Sequence, residues 1–119
     1  MVFEAENVRD WRDHDVVDAS GDKVGTLEAI YFDTGTDEPA FASVTIGMLG
    51  RKRLAFAPLT GAVVSPDYLK VTATKKQIKD SPSIDTDGEL TSEQEPELYQ
   101  HYGLEYQPGV GGERRLGRR

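Results

Sequence analysis

The sequence predicts an all-β domain with a small α-helical appendage, in which six short antiparallel strands form a small barrel or sandwich and one helix follows. Two observations lead to this prediction. Short apolar runs are separated by turn signals about every 8–12 residues, which is typical of small barrels and sandwiches. Near the C-terminus, by contrast, the segment "ELTSEQEPELYQHYGLEY" has the spacing of a capped helix. At 119 residues, the chain has the length of one domain.

The chain is expected to divide into four parts. Residues 1–13 form a polar lead-in, residues 14–82 form the barrel, and residues 83–104 contain a loop and the C-terminal helix. Residues 105–119 are rich in Gly and Arg. Because such a composition provides almost nothing to bury, this last part is expected to be a flexible tail that supports no core.

The first two strands are separated by "ASGDKVG", in which Gly21 and Asp22 give a hairpin-turn signal between apolar runs. The second strand, "VGTLEAIYFD", does not alternate strictly, because Leu27 has one parity while Ile30 and Phe32 have the other. A β-bulge or a strong coil between them would turn all three side chains inward. The sequence therefore predicts one of these two irregularities within this strand.

Four further strands follow from the same patterns. The run "AFASVTIG" alternates cleanly, with Ala40, Ala42, Val44 and Ile46 on one face. The run "RLAFAP" ends at Pro58, which suits a strand end because proline cannot donate to a ladder. The short runs "AVVS" and "LKVTA", separated by a "PDY" turn, complete the predicted set of six.

The helix is expected to begin near residue 92, with Thr91 or Ser92 as its N-cap. Pro96 agrees with this start, because proline is tolerated only in the first turn. Gly103 is the expected stop. The stripe that would pack on the barrel consists of Leu98, Tyr99 and Tyr102.

Composition argues against several classes of function. The chain has 14 basic and 21 acidic residues, a net charge of −7. Because four arginines and two glutamates lie in residues 105–119, the preceding residues carry a net charge of −9, which repels phosphate backbones. With no cysteine, neither a disulfide framework nor a thiolate metal site is possible. No membrane-spanning run or signal-peptide pattern is found, so a soluble cytoplasmic protein is expected.

Three stretches resemble the PRC-barrel domain: "VVDASGDKVGTLEAIYFDTGTDEPAFASV", "GRKRLAFAPL" and "YLKVTATKKQIKDSP". The first contains a D-x-x-G-x-x-x-G turn at Asp18, Gly21 and Gly25, and an acidic residue, Asp33, closes its second strand. The second contains an A-P-L element at residues 57–59. The order and spacing of these features carry the resemblance.

The resemblance covers about residues 10–82 and implies a small six-stranded barrel that serves as a protein-interaction or assembly module without catalytic residues. The family includes the cytoplasmic domain of the photosynthetic reaction-centre H subunit and the C-terminal domain of a ribosome maturation factor. The sequence shows neither the transmembrane helix of the first nor the N-terminal domain of the second. It is therefore expected to be similar to the small stand-alone bacterial members.

The acidic segment "SIDTDGELTSEQ" resembles a calcium-binding loop, with Asp85, Asp87 and Glu89 as candidate ligands. A serine stands where the first aspartate is expected, and Gln94 stands where a bidentate glutamate belongs. A polar turn that leads into a capped helix is the favoured interpretation, so no metal or cofactor is expected.

No catalytic residue is expected either. The only two histidines, His14 and His101, lie in different predicted elements. A serine nucleophile would need one of them as an adjacent base, and no nucleophile-elbow motif is found. The sequence therefore predicts a protein that is not an enzyme.

Fourteen apolar side chains are expected inside the barrel: Val16, Val17, Val24, Leu27, Ile30, Phe32, Val44, Ile46, Leu54, Phe56, Leu59, Val63, Leu69 and Val71. Such a core is close to marginal once chain entropy is subtracted, so a second layer is expected. Either the C-terminal helix or a second copy of the chain would provide it. The candidates for an interface are Tyr31, Phe41, Met48 and Leu49, together with the helical stripe Leu98, Tyr99 and Tyr102.

Three functions are consistent with these observations. The first is a non-enzymatic interaction module that forms a homodimer and binds an unidentified protein. The second is an RNA- or ribosome-assembly accessory that acts weakly through the tail arginines Arg114, Arg115, Arg118 and Arg119. The third is a weak divalent-metal-binding protein that uses the acidic loops.

Overall fold

The computed structural model describes residues 13–47, 50–106 and 115–118. Their fold is mostly β with a small helical part. Two short helices, α1 (Lys75–Lys79) and α2 (Gln94–His101), accompany one sheet. The strands are β1 (Asp15–Val17), β2 (Lys23–Asp33), β3 (Pro39–Ile46), β4 (Arg53–Pro58), β5 (Val63–Val64), β6 (Tyr68–Lys70), β7 (Ile84–Asp85) and β8 (Leu116–Arg118).

The hydrogen-bonded path through the sheet runs β5–β6–β1–β2–β3–β4–β7, and β8 is added to β2. The six strands expected from the sequence are present as β1–β6, and β7 and β8 add two more. The path ends at β5 and β7, so the described residues do not show the predicted closed ring.

The expectation of a wholly antiparallel sheet is wrong at one pair, because β1 and β6 run parallel. Parallel neighbours need a long crossover connection. Here the connection contains four other strands, and the antiparallel β5–β6 pair brings β6 back alongside β1.

The predicted irregularity in β2 is confirmed, and it is a bulge. The β2–β3 register shifts between Leu27 and Ala29. As a result, Leu27, Ile30 and Phe32 all belong to one interior cluster despite their mixed parity. The hydroxyl of Ser43 on β3 donates to Glu28 Oε1 (2.8 Å), which holds the bulged residue against the neighbouring strand.

Small and aliphatic side chains fill the interior. Most predicted core residues belong to it, but Val63 is 49% exposed and Val17 is only partly buried. Val63 lies on the two-residue edge strand β5, and Val17 has the opposite parity to the buried Val16. The interior cluster consists of Val16, Val24, Leu27, Ile30, Phe32, Ala42, Val44, Ile46, Ala55, Ala57, Leu59, Ala62, Leu69, Val71, Ala73 and Ile78.

A second cluster lies on the outer face of the sheet, beneath α2. We call it the aromatic cluster, and it consists of Tyr31, Phe41, Phe56, Leu90, Leu98, Tyr99 and Leu116. Phe56 was expected inside, but its parity is opposite to that of the interior residues Ala55 and Ala57, so it faces outward. The Phe41 and Tyr99 rings meet edge to face at 5.3 Å. Helix α2 thus supplies the expected second layer.

Asp18 ties the β1–β2 turn to the start of α1. Its Oδ1 accepts hydrogen bonds from the backbone N–H groups of Ser20 (2.9 Å) and Asp22 (3.0 Å), and its Oδ2 accepts one from Lys75 (3.1 Å). Burial raises the pKa of this carboxyl, but the backbone donors outweigh burial, so the pKa lies below its usual value. Asp18 of the turn motif therefore joins the β1–β2 turn to the start of α1.

The predicted helix is present, but it begins at Gln94, and its N-cap is Glu93, which makes no side-chain capping hydrogen bond, instead of Thr91 or Ser92. Thr91 N donates to Gln94 Oε1 (3.0 Å), and Gln94 N donates back to Thr91 Oγ1 (3.3 Å), so this reciprocal pair forms in the turn just before the helix. Gly103 follows α2 with φ of 68°, as expected for a stop. Neither helix in the described ranges is long and apolar enough to cross a membrane.

Candidate functional site

Strand β2 has an edge that β1 covers only in part. One edge of β2 pairs with β3 along most of its length, from Thr26 to Phe32. On the other edge, β1 pairs with Lys23–Thr26, and the residues just before it, Asp13 and His14, form backbone hydrogen bonds with Leu27. The far end of that edge, Tyr31–Asp33, pairs with the antiparallel strand β8. A segment remote in sequence thus adds a strand where β1 has ended.

Leu116 anchors this added strand. It is opposite Asp33 in the ladder, and its side chain is 1% exposed within the aromatic cluster. Backbone pairing between the two segments continues one residue beyond Asp33 and Leu116, because Thr34 N donates to Arg115 O (2.8 Å). The expectation of a coreless tail is therefore wrong for residues 115–118, because β8 pairs with Tyr31–Asp33 and Leu116 is buried.

The carboxylate of Glu95 on α2 holds the same segment from the other side. Glu95 is fully buried. Its Oε1 accepts hydrogen bonds from Arg115 N (2.9 Å) and from the Tyr106 hydroxyl (2.8 Å), and its Oε2 accepts one from Leu116 N (3.3 Å). Burial, followed by the contact with Glu95, raises the pKa of Tyr106. The docked strand thus supplies two backbone donors to this carboxylate.

An ion pair completes the contact. Arg115 Nε lies 2.6 Å from Asp33 Oδ2, and both side chains are largely shielded. The other oxygen, Oδ1, accepts from Gly35 N (2.7 Å) and Thr36 N (3.2 Å) in the β2–β3 turn. The carboxylate raises the pKa of Arg115, so the guanidinium stays charged. We call this site the β2-edge groove, formed by Tyr31–Asp33, Glu95 and the aromatic cluster around Leu116.

A shallow acidic depression adjoins the groove. Its lining includes Tyr99, Leu104 and three carboxylate residues, Asp33, Glu38 and Glu105. Leu104 is partly exposed to solvent. The surroundings of the groove therefore favour a segment that carries positive charge and apolar side chains.

The predicted interface residues do not form an exposed surface. Tyr31, Phe41, Leu98 and Tyr99 are buried in the aromatic cluster, because α2, one of the two expected second layers, packs on that sheet face. Tyr102 is partly buried, and its hydroxyl donates to Phe56 O. The two other candidates, Met48 and Leu49, lie outside the described residues.

The calcium candidates lie in and beside a turn. Asp85 belongs to β7, which pairs with β4, and its carbonyl accepts from Gly88 N (2.9 Å). Asp87 and Glu89 are exposed. Across residues 13–47, 50–106 and 115–118, no group of three or more His, Asp and Glu side chains is placed to hold a metal ion.

The histidines take part in structural contacts. The carbonyl of His14 accepts from Leu27 N (2.9 Å), which joins the start of β1 to β2. The Nε2 of His101 lies 2.7 Å from Gln77 O, which joins α2 to α1. The two residues are thus placed in separate contacts.

The predicted basic tail is only partly described. Arg115 is paired with Asp33, and the backbone of Arg118 belongs to β8. Arg114 and Arg119 lie outside the described residues. Arg115 thus binds this part of the tail to the acidic body.

Glu95 and Leu116 were not predicted as site residues, although signals for both exist. Glu95 lies three and four residues before Leu98 and Tyr99, so helical spacing places its carboxylate on the apolar stripe. A charge on a buried stripe indicates a partner nearby. Leu116 is an apolar residue within "RRLGRR", a pattern that marks an anchor in an otherwise charged segment.

Comparison with protein families identifies the fold. The family described as PRC-barrel domain matches residues 3–78, more than half of the chain. The chain belongs to the PRC-barrel family. Comparison with curated proteins finds no match. The β2-edge groove of this PRC-barrel protein combines β2, inside the matched range, with α2 and β8, which lie beyond it.

Proposed function

We propose that this PRC-barrel protein is a non-enzymatic interaction or assembly module that binds protein segments by strand addition. The observation that carries the proposal is the docking of β8 on β2. The contact unites main-chain pairing, a buried leucine and an ion pair, which are the elements of strand-addition recognition.

The use of the buried polar groups supports a role without catalysis. Asp18 closes a turn and holds α1, and Ser43 donates to Glu28. Ser81 donates to Ile78 O (2.7 Å), and Glu95 binds the docked strand. In the described part of the chain, each of these four groups joins structural elements.

Self-association is proposed as a second property. Among the described residues the sheet path ends at β5 and β7, and sheet ends are common places for strands of another chain to pair. At the β5–β6 hairpin, Val63 is 49% and Tyr68 is 38% exposed. Light scattering over a range of concentrations tests this property. A Val63→Glu variant is expected to reduce any dimer, and a clean monomer at high concentration would exclude self-association.

The experiment for the main proposal is capture of partners by the immobilised full-length chain, followed by titration of each purified partner. We expect at least one protein to bind the purified chain directly. Loss of every candidate at the titration step, with the chain still folded, would count against an interaction role.

The nucleic-acid alternative has weaker support, because the Arg115–Asp33 ion pair already uses one of the four tail arginines. Binding of RNA with a steep salt dependence would favour it.

A further inference from the structure

We propose that the β2-edge groove is a binding site for an extended partner segment of the form Arg–Leu–Gly–Arg, and that β8 is a tethered competitor for it. This inference rests on the proposed interaction function and specifies its site, its ligand and its regulation. The occupant we assign is a segment of another protein with a leucine between basic residues.

The buried carboxylate of Glu95 is the first argument. A buried carboxylate needs hydrogen-bond donors, because the free-energy cost of burying its charge rises steeply without them. Within the continuous body of the fold, Tyr106 donates to Glu95, while the N–H groups of Arg115 and Leu116 come from the added strand. The groove is thus built to receive two consecutive backbone N–H groups from an extended chain.

The side chains of the docked strand show what chemistry fits. The leucine position is enclosed by the aromatic cluster. The preceding basic position meets Asp33, and the neighbouring depression adds the carboxylates of Glu38 and Glu105. The following residue is Gly117, where an added Cβ would first meet Thr34 Cγ2 at an ordinary 3.5 Å. Leucine and arginine therefore determine selectivity, while the glycine position tolerates small side chains.

The docked strand is small enough to be exchanged. Three residues pair with β2, and eight residues, 107–114, separate this segment from Tyr106. A short tether gives an effective concentration on the order of millimolar, which keeps a weak contact closed and competes with free segments. Releasing the strand is therefore expected to strengthen binding of a free segment by about tenfold or more.

The test uses a fluorescent peptide with the sequence of residues 113–119 and full-length protein variants. Leu116→Asp and Arg115→Glu each release β8, the first by placing a charge in the aromatic cluster and the second by opposing Asp33. Ala19→Asp and Arg51→Glu introduce the same acidic side chains at exposed positions away from the groove. Circular dichroism in the near ultraviolet establishes that each variant is folded. If Leu116→Asp does not fold, Arg115→Glu serves alone, because it places no charge in the aromatic cluster.

We expect the released variants to bind the peptide about tenfold or more tightly than the wild type and both controls. A peptide with Leu116→Asp should not bind. Equal binding to wild type and released variants, or no binding to a folded released variant, would overturn the inference. So would a wild-type dimer that Arg115→Glu abolishes, because a second copy would then be the occupant. Partner binding that survives in both released variants, with no peptide binding, would refute the groove and leave the proposed function standing.

Discussion

Gly25, the second glycine of the turn motif, is the position at which a single methyl group should be most damaging. A Cβ built at this residue would lie 2.1 Å from the carbonyl oxygen of Thr45 and 3.0 Å from its carbonyl carbon. The oxygen belongs to the backbone of β3, so no side-chain rotation relieves the contact. We therefore expect Gly25→Ala to push β2 and β3 apart.

The size of the effect follows from what must move. Separating the strands enough to reach an acceptable contact requires a shift of about 1 Å, and overpacking of this kind costs about 1–3 kcal/mol or more. Each ladder hydrogen bond that lengthens adds about 1 kcal/mol. We expect a loss of about 3 kcal/mol, a large share of the roughly 5–15 kcal/mol that stabilises a typical domain.

The matched control is Gly35→Ala, in the exposed β2–β3 turn. There the nearest atom to a new Cβ is Asp33 Oδ1, at 3.2 Å, on a side chain that adjusts more easily than backbone. Its effect should remain within about 0.5 kcal/mol. Urea unfolding of both variants measures the difference. A Gly25→Ala protein within about 1 kcal/mol of wild type would refute the reasoning from strand separation.

Three further outcomes are expected. Leu98→Ala should cost about 2–5 kcal/mol, because it leaves a cavity between α2 and the sheet, and should increase binding of a hydrophobic dye. The lowered pKa of Asp18 stabilises the fold above its unfolded pKa and is lost on acidification, so the stability advantage of wild type over Asp18→Asn should shrink in acidic urea titrations. Burial raises the pKa of Tyr99 and Tyr102 to about 12, so both should ionise late in an ultraviolet titration, and stability should fall as pH rises from 10 towards 12.

The sequence was sufficient where local rules govern the structure. The mixed parity of β2 required a bulge or a strong coil, and the register shift beside Glu28 is the bulge. The reciprocal Thr91–Gln94 pair and the stop at Gly103 are likewise local, although Glu93 is the N-cap of the helix. In each case the interacting residues are neighbours in the chain, so spacing alone determines the geometry.

The sequence was insufficient where two faces compete for the same apolar residues. Period-two alternation places Leu54 and Phe56 on one face of β4 but does not say which face is inside. In the structure the interior cluster contains the alanines, Ala55 and Ala57. Phe56 packs in the aromatic cluster beneath α2. Because α2 covers that face, the interface candidates Tyr31 and Phe41 are also buried within one chain.

The groove could not be predicted because its parts are distant in the chain. Asp33 and Arg115 are separated by 82 positions, and no local pattern connects an acidic residue at a strand end with an arginine in a glycine-rich segment. Composition predicted a tail without a core, because an average over the whole segment hides a single apolar residue such as Leu116. The burial of Leu116 and the pairing of β8 with the end of β2 contradict that expectation for residues 115–118.

The chemistry of the groove also indicates which contacts provide affinity and which provide selectivity. Main-chain pairing with Tyr31–Asp33 and acceptance of backbone N–H groups by Glu95 are available to any extended chain without proline at those positions. These contacts therefore add affinity without discrimination. Discrimination must come from the enclosed Leu116 position and the Arg115 position opposite Asp33. Because the ion pair is partly exposed, added salt should weaken it, whereas the leucine position should keep its preference at any ionic strength.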